Sequence, residues 1–286
     1  MITALVFPGQ GSLPHPRDLR AAQATPRGRA LLELAAREAE LADPSQFHAR
    51  GGRALERASV LCPLLVALGL AQLPELAGPT ASAGVVLLGH SLGELSAVAA
   101  AGAVEPCDAI AIAAVRGRAL DEAASARPSG LYALDRADVE RALALGEGKV
   151  AVALDNADDE VVLGAGDPEL RRLATQIPGR RLRVAGAFHT ELMRPARAAL
   201  ASALRRVHVA SPRRPVLSAV TLRFLESPDE VASALLEGIT KPVRFREAMG
   251  LLASLGEIDA RVLPPFGAVQ ALVRKNLGNA TQWIAS

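Results

Sequence analysis

The stretch 87–95, LLGHSLGEL, decides the interpretation of this chain, because it places a serine between two glycines where the structure changes. The run 84–88, GVVLL, is typical of a buried parallel strand. The run 92–104, LGELSAVAAAGAV, is rich in residues that favour a helix. Ser91 therefore lies on a strand-to-helix turn, and its flanking glycines permit a sharp turn because neither carries a Cβ atom.

Ser91 fits the G-x-S-x-G pattern of a nucleophile elbow, which exposes a serine hydroxyl at the top of a sheet. The hydroxyl would lie at a helix N-terminus, where the helix dipole favours negative charge. A glycine-rich turn with a helix-capping serine is the alternative. The predicted strand before Ser91 and the predicted helix after it favour the nucleophile.

Composition and charge narrow the class of protein. The chain has 286 residues, of which 50% are hydrophobic and 3% aromatic, so alanine and leucine form the core. That balance suits an α/β protein of one or two domains. The net charge of +2, without a long basic run, gives no indication of nucleic-acid binding. Basic clusters at 178–183, 211–214 and 273–275 are either solvated surface or a docking face for an acidic partner.

The sequence gives no sign of a disulfide framework, a metal site or a membrane segment. Cys62 and Cys107 are its only cysteines, and their spacing is not that of metal ligands. The apolar run at the N-terminus is too short for a signal peptide, and no run approaches the roughly 18 apolar residues of a membrane span. We therefore expect a cytoplasmic monomer with no metal, no cofactor and no contact with membranes.

The order of predicted elements indicates a larger α/β unit with a smaller unit inserted into it. A strand at 2–7 and an apolar helix at 58–73 precede the serine turn, and a long helix at 105–124 follows it. The stretch 12–56 is polar, helical in places and hard to assign. The middle alternates as β-α-β-β-α-β, the order of a ferredoxin-like unit. Its predicted strands are 130–134, 149–154, 160–166 and 180–186, and its predicted helices are 136–145 and 168–177. The larger unit resumes with helices at 192–205, 228–239, 242–256 and 268–277 and strands at 215–220 and 258–263.

A serine nucleophile needs a base, and five histidines are available. His189 follows a predicted strand end where the inserted unit returns to the larger one, so it could line a site as the base or be structural. His90 adjoins the serine but should point away from it and pack. His15 and His48 are expected on the surface, and His208 has no companion motif.

Arg116 and the loop 8–12, PGQGS, are further candidates for chemistry. Arg116 lies 25 residues beyond the serine on the next predicted helix, where it is either a solvated charge or a bidentate clamp for a substrate carboxylate. Arg118 competes for the same role. The loop could donate one main-chain N–H to an oxyanion hole, with that of Leu92 as the second donor.

Five motifs in one order carry a resemblance to a known family. They are FPGQGS at 7–12, GHSLGE at 89–94, VRGRAL at 115–120, AFHTELM at 187–193 and KPVRF at 241–245. Together they resemble the malonyl-CoA:acyl carrier protein transacylases, which include the acyltransferase domains of fatty-acid and polyketide synthases. The resemblance implies an α/β-hydrolase-like core with a parallel sheet at 1–127 and 188–286, and an inserted ferredoxin-like subdomain at 128–187.

The resemblance also implies roles for individual residues. Ser91 matches the acylated serine, and His189 matches a general base that main-chain carbonyl groups orient in place of an aspartate. Arg116 matches the arginine that binds the malonyl carboxylate. Gln10 and Leu92 match the main-chain donors of the oxyanion hole.

Asn156 matches an asparagine of the small subdomain near the cleft. In relatives from modular synthases, the residues corresponding to Leu92 and Phe188 tend to mark malonyl over methylmalonyl units. A bulky ring at Phe188 would leave no room for an α-methyl group, although a hydrophobic pocket separates such substrates by only ~1–3 kcal/mol.

The sequence departs from the family pattern at four places. Cys62 stands where the family usually has glutamine, Leu13 replaces a common glutamine, and Lys241 replaces a small polar residue. The run 263–267, LPPFG, replaces a Gly-Pro-Gly run whose neighbourhood supplies the carbonyl partner of the histidine. These departures indicate a divergent member.

The resemblance implies that the chain moves a malonyl group from malonyl-CoA to the phosphopantetheine thiol of an acyl carrier protein through a malonyl-serine. Two alternatives keep this chemistry: the transacylase subunit of a malonate decarboxylase and a stand-alone polyketide acyltransferase. An acyl hydrolase or esterase is a third alternative, which Arg116 disfavours because water as acceptor needs no carboxylate clamp. A catalytically silent docking subunit is the fourth.

Overall fold

The structure of the chain, a computed structural model, describes residues 1–47, 53–73, 84–278 and 281–283. His48, expected on the surface, lies outside these residues. The described part contains one parallel and one antiparallel sheet, and none of its helices is long and apolar enough to cross a membrane.

The larger unit is built on a five-stranded parallel sheet. With all strands numbered along the chain, it comprises β1 (Ile2–Phe7), β2 (Val85–Gly89), β7 (Val216–Leu217), β8 (Ile258–Val262) and β9 (Thr281–Trp283). The strand order is β7-β2-β1-β8-β9, and every neighbouring pair is parallel. The strand that leads into Ser91 therefore lies directly beside the central strand β1, which ends at the loop 8–12.

Within the described ranges, nine helices cover this sheet. They are α1 (Pro16–Gln23), α2 (Pro26–Glu38), α3 (Ala58–Ala71), α4 (Gly93–Ala100), α5 (Pro106–Ala126), α8 (Ala196–Leu204), α9 (Pro228–Glu237), α10 (Phe245–Ser254) and α11 (Ala268–Leu277). Alternate residues of β1 enter different core clusters: Leu5 and Phe7 pack with α2 to α5, whereas Ala4 and Val6 pack with α10 and α11. Burial on both faces explains why the strands are continuous apolar runs.

The smaller unit has the predicted β-α-β-β-α-β order. Its elements are β3 (Ser129–Leu134), α6 (Val139–Leu145), β4 (Val150–Ala157), β5 (Glu160–Gly166), α7 (Asp167–Gln176) and β6 (Gly179–Arg181). They form an antiparallel sheet of order β4-β5-β3-β6, so the predicted ferredoxin-like unit is confirmed. The domain boundaries 127/128 and 187/188 remain a prediction.

The KPVRF motif joins the smaller unit to the larger one. Val243 extends the antiparallel sheet at β4, since its N–H donates to the carbonyl of Ala153 (3.0 Å) and its carbonyl accepts from Asp155 N–H (2.8 Å). On α11, Asn276 Nδ2 donates to the carbonyl of Asn156 (2.9 Å). These contacts hold β4 against the larger unit, and β4 and β5 form one wall of a cleft between the two units.

The helices α3 and α5 pack closely because of the glycine in the VRGRAL motif. A Cβ atom on Gly117 would lie 2.3 Å from the carbonyl oxygen of Ala58, so only glycine allows this approach. Asp121, one turn later on α5, accepts hydrogen bonds from the N–H groups of Ala58 and Ser59 (2.9 Å each) and so caps α3. The contact also orients Arg116, the residue before the glycine.

Several predicted elements differ from the structure at their ends. The strands predicted at 180–186 and 215–220 shrink to β6 and β7, which are the last strands at one edge of their sheets. Ser218 ends β7, because its Oγ accepts hydrogen bonds from the N–H groups of Val220 and Thr221. The predicted helix 242–256 begins only at α10, since the residues before it pair with β4.

The stretch 12–56, expected to be helical in places, contains α1 and α2. The side chain of His15 accepts a hydrogen bond from Arg17 N–H, and Asp18 accepts one from His15 N–H (2.7 Å), which together form a capping box. Thr25 caps α2 through Gly28 N–H (3.0 Å). The proline that follows each capping residue was the available sequence signal.

We expect Gly117→Ala to destabilise the protein by about 1–3 kcal/mol, because the new methyl group forces α3 and α5 apart. Gly250→Ala is the matched control, since Gly250 is exposed within α10 and its added Cβ would contact nothing within 4 Å. That change should raise stability by up to about 1 kcal/mol. Urea unfolding of both variants checks the pair, and equal effects would contradict the close helix contact.

Candidate active site

Ser91 lies on a strained turn between β2 and α4. Its φ is 55°, a left-handed conformation that non-glycine residues rarely adopt. A Cβ on Gly89 would lie 2.0 Å from the N of Glu94, and one on Gly93 would lie 2.2 Å from the carbonyl oxygen of Phe7. Both glycines of the G-x-S-x-G pattern are therefore sterically required, and the predicted strand-to-helix turn is confirmed.

The imidazole of His189 faces the serine hydroxyl. Ser91 Oγ and His189 Nε2 are 2.6 Å apart, the distance of a short hydrogen bond. His189 also has a left-handed φ, 64°, at the return from the smaller unit. The two side chains come from segments 98 residues apart in sequence, so only the fold unites them.

Burial keeps the imidazole of His189 neutral. Desolvation, together with the positive charge of Arg116 and the neighbouring His90, lowers the pKa of His189 to about 3. The main chain of Gly238 acts on the pKa in the opposite direction, although His189 Nδ1 is buried without a well-aligned hydrogen-bond partner in the described part of the chain. A neutral imidazole at neutral pH is ready to accept a proton.

The guanidinium of Arg116 shares a small cavity with Ser91 and His189. It is only 7% exposed, and its contacts are long: Nη1 lies 3.5 Å from Gln10 Oε1 and 3.6 Å from Cys62 Sγ. It forms no ion pair with a carboxylate in the described part of the chain. A buried, unneutralised cation of this kind suits a ligand with a carboxylate group.

The structure separates the two candidate arginines of α5. Arg118 Nη1 donates to the carbonyl of Glu38 (2.9 Å), away from the serine. By contrast, Arg116 lies beside the thiol of Cys62. Burial raises the pKa of this thiol to about 11. A neutral thiol leaves the positive charge of Arg116 unbalanced.

The loop after β1 packs against the turn that carries Ser91. A Cβ on Gly9 would lie 2.4 Å from the carbonyl oxygen of His90 and 3.2 Å from Ser91 Cβ. Gln10 therefore follows directly beside the serine, and Leu92 is the residue before the first turn of α4. The structure brings both predicted oxyanion donors to the same place as the nucleophile.

A cleft of about 380 Å³ opens from Ser91 between the two units. Phe188 lines it beside His189, and Asn156 lines it on the side of the smaller unit. Asn156 is already engaged, since its Oδ1 is 2.9 Å from His90 Nε2 and its Nδ2 donates to Glu160 (2.9 Å). Its contacts are those of a residue that supports the cleft wall.

The interpretation of His90 as a packing residue agrees with its contacts. The ring is buried, and its centroid is 5.1 Å from that of Phe245 in an edge-to-face arrangement. Burial lowers its pKa, whereas the hydrogen bond to Asn156 raises it. His90 therefore links the serine turn to the smaller unit and to α10.

The comparisons with known proteins agree with this site. A family model described as an acyl transferase domain matches residues 23–277. The chain belongs to the acyl transferase domain family. It is 32% identical over 226 residues to the malonyl CoA-acyl carrier protein transacylase of Mycobacterium tuberculosis, covering 77% of this chain and 75% of that relative. The family resemblance predicted from the five motifs is therefore confirmed.

Solved structures of this acyl transferase family have the same fold. The MCAT crystal structure from Mycobacterium tuberculosis superposes with a TM-score of 0.84 at 28% identity, covering 99% of this chain and 96% of that one. The acyl-carrier-protein-S-malonyltransferase of Bartonella henselae gives a TM-score of 0.88 at 26% identity, covering 99% and 95%. The predicted fold class, a parallel α/β core with an inserted antiparallel unit, is confirmed.

Two site features of this acyl transferase escaped the sequence analysis. The main-chain group that raises the pKa of His189 belongs to Gly238, at the end of α9. The family pattern had predicted such a group near 263–267. Glu94, the last residue of the GHSLGE motif, is buried in the same cavity as Ser91. A glutamate inside an otherwise apolar helical run was the signal for Glu94, and no sequence signal marked Gly238.

We expect a decrease in pH to destabilise the unaltered protein more than it destabilises the His189→Gln variant. Between pH 6.5 and about 3 the unfolded chain binds a proton at His189 that the folded protein excludes. The free energy of unfolding therefore falls as the pH decreases through this range, by on the order of 1 kcal/mol per pH unit for this residue. Urea unfolding at pH 7 and pH 5 checks the difference, and parallel losses in both proteins would show that His189 is not held neutral.

Proposed function

We propose that this acyl transferase moves a malonyl group from malonyl-CoA to the phosphopantetheine thiol of an acyl carrier protein, through a malonyl ester on Ser91. One observation carries the proposal: a serine hydroxyl 2.6 Å from a neutral imidazole shares a cavity with a buried guanidinium that has no carboxylate partner among the described residues. The names of the relatives above support the same activity.

Acylation begins when His189 Nε2 takes the proton of Ser91. The oxygen attacks the thioester carbonyl, and the resulting oxyanion accepts hydrogen bonds from the main-chain N–H groups of Leu92 and Gln10. Collapse of this intermediate breaks the C–S bond. The proton on His189 passes to the departing CoA sulfur, so CoA leaves as the thiol and a malonyl-serine remains.

Deacylation repeats these steps with a different nucleophile. The phosphopantetheine thiol enters the cleft, gives its proton to His189 and attacks the ester carbonyl of acylated Ser91. The serine oxygen leaves and regains the proton from the imidazole. The two half-reactions thus use one base and one oxyanion hole, as expected for ping-pong acyl transfer.

Arg116 and Phe188 set the preference for the acyl group. The guanidinium supplies two parallel N–H donors to the malonyl carboxylate, which an acetyl group lacks. Phe188 lines the cleft beside the base, where its ring restricts the space for a substituent on the α-carbon. The contact with Arg116 separates malonyl from acetyl groups strongly, because it pairs a buried charge. The contact with Phe188 separates acyl groups with and without a substituent on the α-carbon by only ~1–3 kcal/mol.

Mixing the protein with malonyl-CoA should give a malonyl adduct on Ser91 in intact-mass and peptide spectra. Ser91→Ala should lose the adduct and several orders of magnitude of transfer rate. Ser254→Ala, a change on the exposed end of α10, is the control and should behave as the unaltered protein. Transfer by Ser91→Ala would refute the mechanism, and turnover of malonyl-CoA without a carrier protein would indicate a hydrolase.

Arg116→Gln should lower kcat/KM for malonyl-CoA by roughly 100-fold, because the substrate carboxylate would then be buried without its partner. The rate with acetyl-CoA should not fall in parallel. Arg118→Gln is the matched control on the same helix, since that side chain contacts Glu38 outside the cavity. A larger loss of malonyl transfer in Arg118→Gln than in Arg116→Gln would overturn the assignment.

A further inference from the structure

Glu94 is a buried carboxyl group inside the acyl-transfer cavity. It lies in the first turn of α4, is 3% exposed, and lines the same small cavity as Ser91, Arg116 and His189. None of the steps proposed above uses it. Carboxyl groups are seldom buried without a partner, so its position needs an explanation.

The hydrogen bonding of Glu94 is incomplete. Its side chain accepts a hydrogen bond from the hydroxyl of Ser218, at the end of β7. The second oxygen, Oε1, is buried and has no hydrogen-bond partner in the described part of the chain. One oxygen is therefore fixed, and the other remains without a bonded group in the cavity.

The charged groups around Glu94 come from several elements. Arg116 on α5 attracts the carboxylate, and Glu237 on α9 repels it. The other titratable groups of the cavity region, Cys62 on α3 and His189, are neutral at neutral pH. Burial raises the pKa of Glu94 to about 7, against the lowering effects of Ser218 and Arg116. Glu94 thus changes charge in the working range of pH.

We propose that Glu94 is a positioning residue whose charge controls how strongly Arg116 binds the substrate carboxylate. Protonated Glu94 leaves the guanidinium to the substrate, and ionised Glu94 acts as an internal counter-ion that competes with it. This inference rests on the proposed role of Arg116 as the malonyl clamp.

The proton balance follows from the number of charges in the cavity. One guanidinium compensates one carboxylate, and a second carboxylate in the same low-dielectric space is repelled by the first. Binding of a malonyl group to the ionised form therefore draws one proton from solvent onto Glu94, and release of the acyl group returns it. A donor without a carboxylate, such as an acetyl thioester, causes no such uptake.

The experiment follows acylation of Ser91 in a single turnover by rapid quench and mass spectrometry. The donor is malonyl-N-acetylcysteamine, which lacks the titrating phosphates of CoA, and acetyl-N-acetylcysteamine is the matched neutral donor. For the malonyl donor, the half-saturating concentration should rise about fivefold from pH 7 to pH 8, because only the protonated fraction binds. The limiting rate should change less, and the acetyl donor should show no such rise.

Glu94→Gln should abolish this rise, because the amide cannot ionise. Ser218→Ala removes a hydrogen bond that lowers the pKa of Glu94 and should move the rise to higher pH. Glu237→Gln removes a repulsive charge and should move it to lower pH. These opposite shifts test the inference even if Glu94→Gln fails to fold.

Infrared difference spectra should show a protonated carboxyl band at pH 6 that disappears by pH 8 and is missing in Glu94→Gln.

A half-saturating concentration for the malonyl donor that is independent of pH in the unaltered protein would overturn the inference. So would the same rise in Glu94→Gln, since another group would then be responsible. In both cases the adduct on Ser91 still forms, and the proposed function stands. Absence of the adduct at every pH would instead overturn the proposed function.

Discussion

The hydrogen bond between Ser91 and His189 is the contact on which the rest of the site depends. Both residues have left-handed backbone conformations, with φ of 55° and 64°, although neither is glycine. Each such residue costs of order 1–3 kcal/mol and persists only where its surroundings enforce it. Here the glycines of the serine turn allow β1, β2 and α4 to approach closely, and the contacts of β4 with the KPVRF segment hold the smaller unit against the core. These two backbone conformations place the hydroxyl and the imidazole within hydrogen-bond distance of each other.

Electrostatically, the cavity region contains one permanent positive charge, and burial shifts the pKa of each neighbouring titratable group towards its uncharged form. Desolvation lowers the pKa of His189 and raises those of Cys62 and Glu94, which in each case favours the uncharged form. Arg116 stays charged because its intrinsic pKa is too high for burial to neutralise it. The free protein therefore holds a buried cation that forms no ion pair with a carboxylate in the described part of the chain. Under the proposed function, the same desolvation that makes the histidine a usable base also favours the binding of an anionic acyl group.

Prediction from the sequence succeeded where a local pattern has a local physical cause. The serine turn, the long apolar strands and the β-α-β-β-α-β order were predictable because glycine spacing and apolar runs act over a few residues. It failed at the edge strands β6 and β7, because the length of each depends on pairing with distant segments and because the Ser218 turn ends β7. It also gave no bounds for α1 and α2, whose starts are set by the capping residues His15 and Thr25, each followed by a proline. The roles of the seven candidate residues remain proposals, although the fold brings all seven to one region.

The sequence by itself determined the order of the motifs, the position of the nucleophile and the alternation that builds two sheets, because each depends on backbone sterics and on apolar periodicity. Only the tertiary structure decided which groups surround the nucleophile. Arg116 and Arg118 lie two residues apart on α5 and so point about 200° away from each other. Which of them is buried depends on the side of α5 that packs against α3, and Gly117 sets that contact. Likewise, the surroundings of Glu94 and the main chain beside His189 come from segments far away in sequence, whose approach no local pattern encodes.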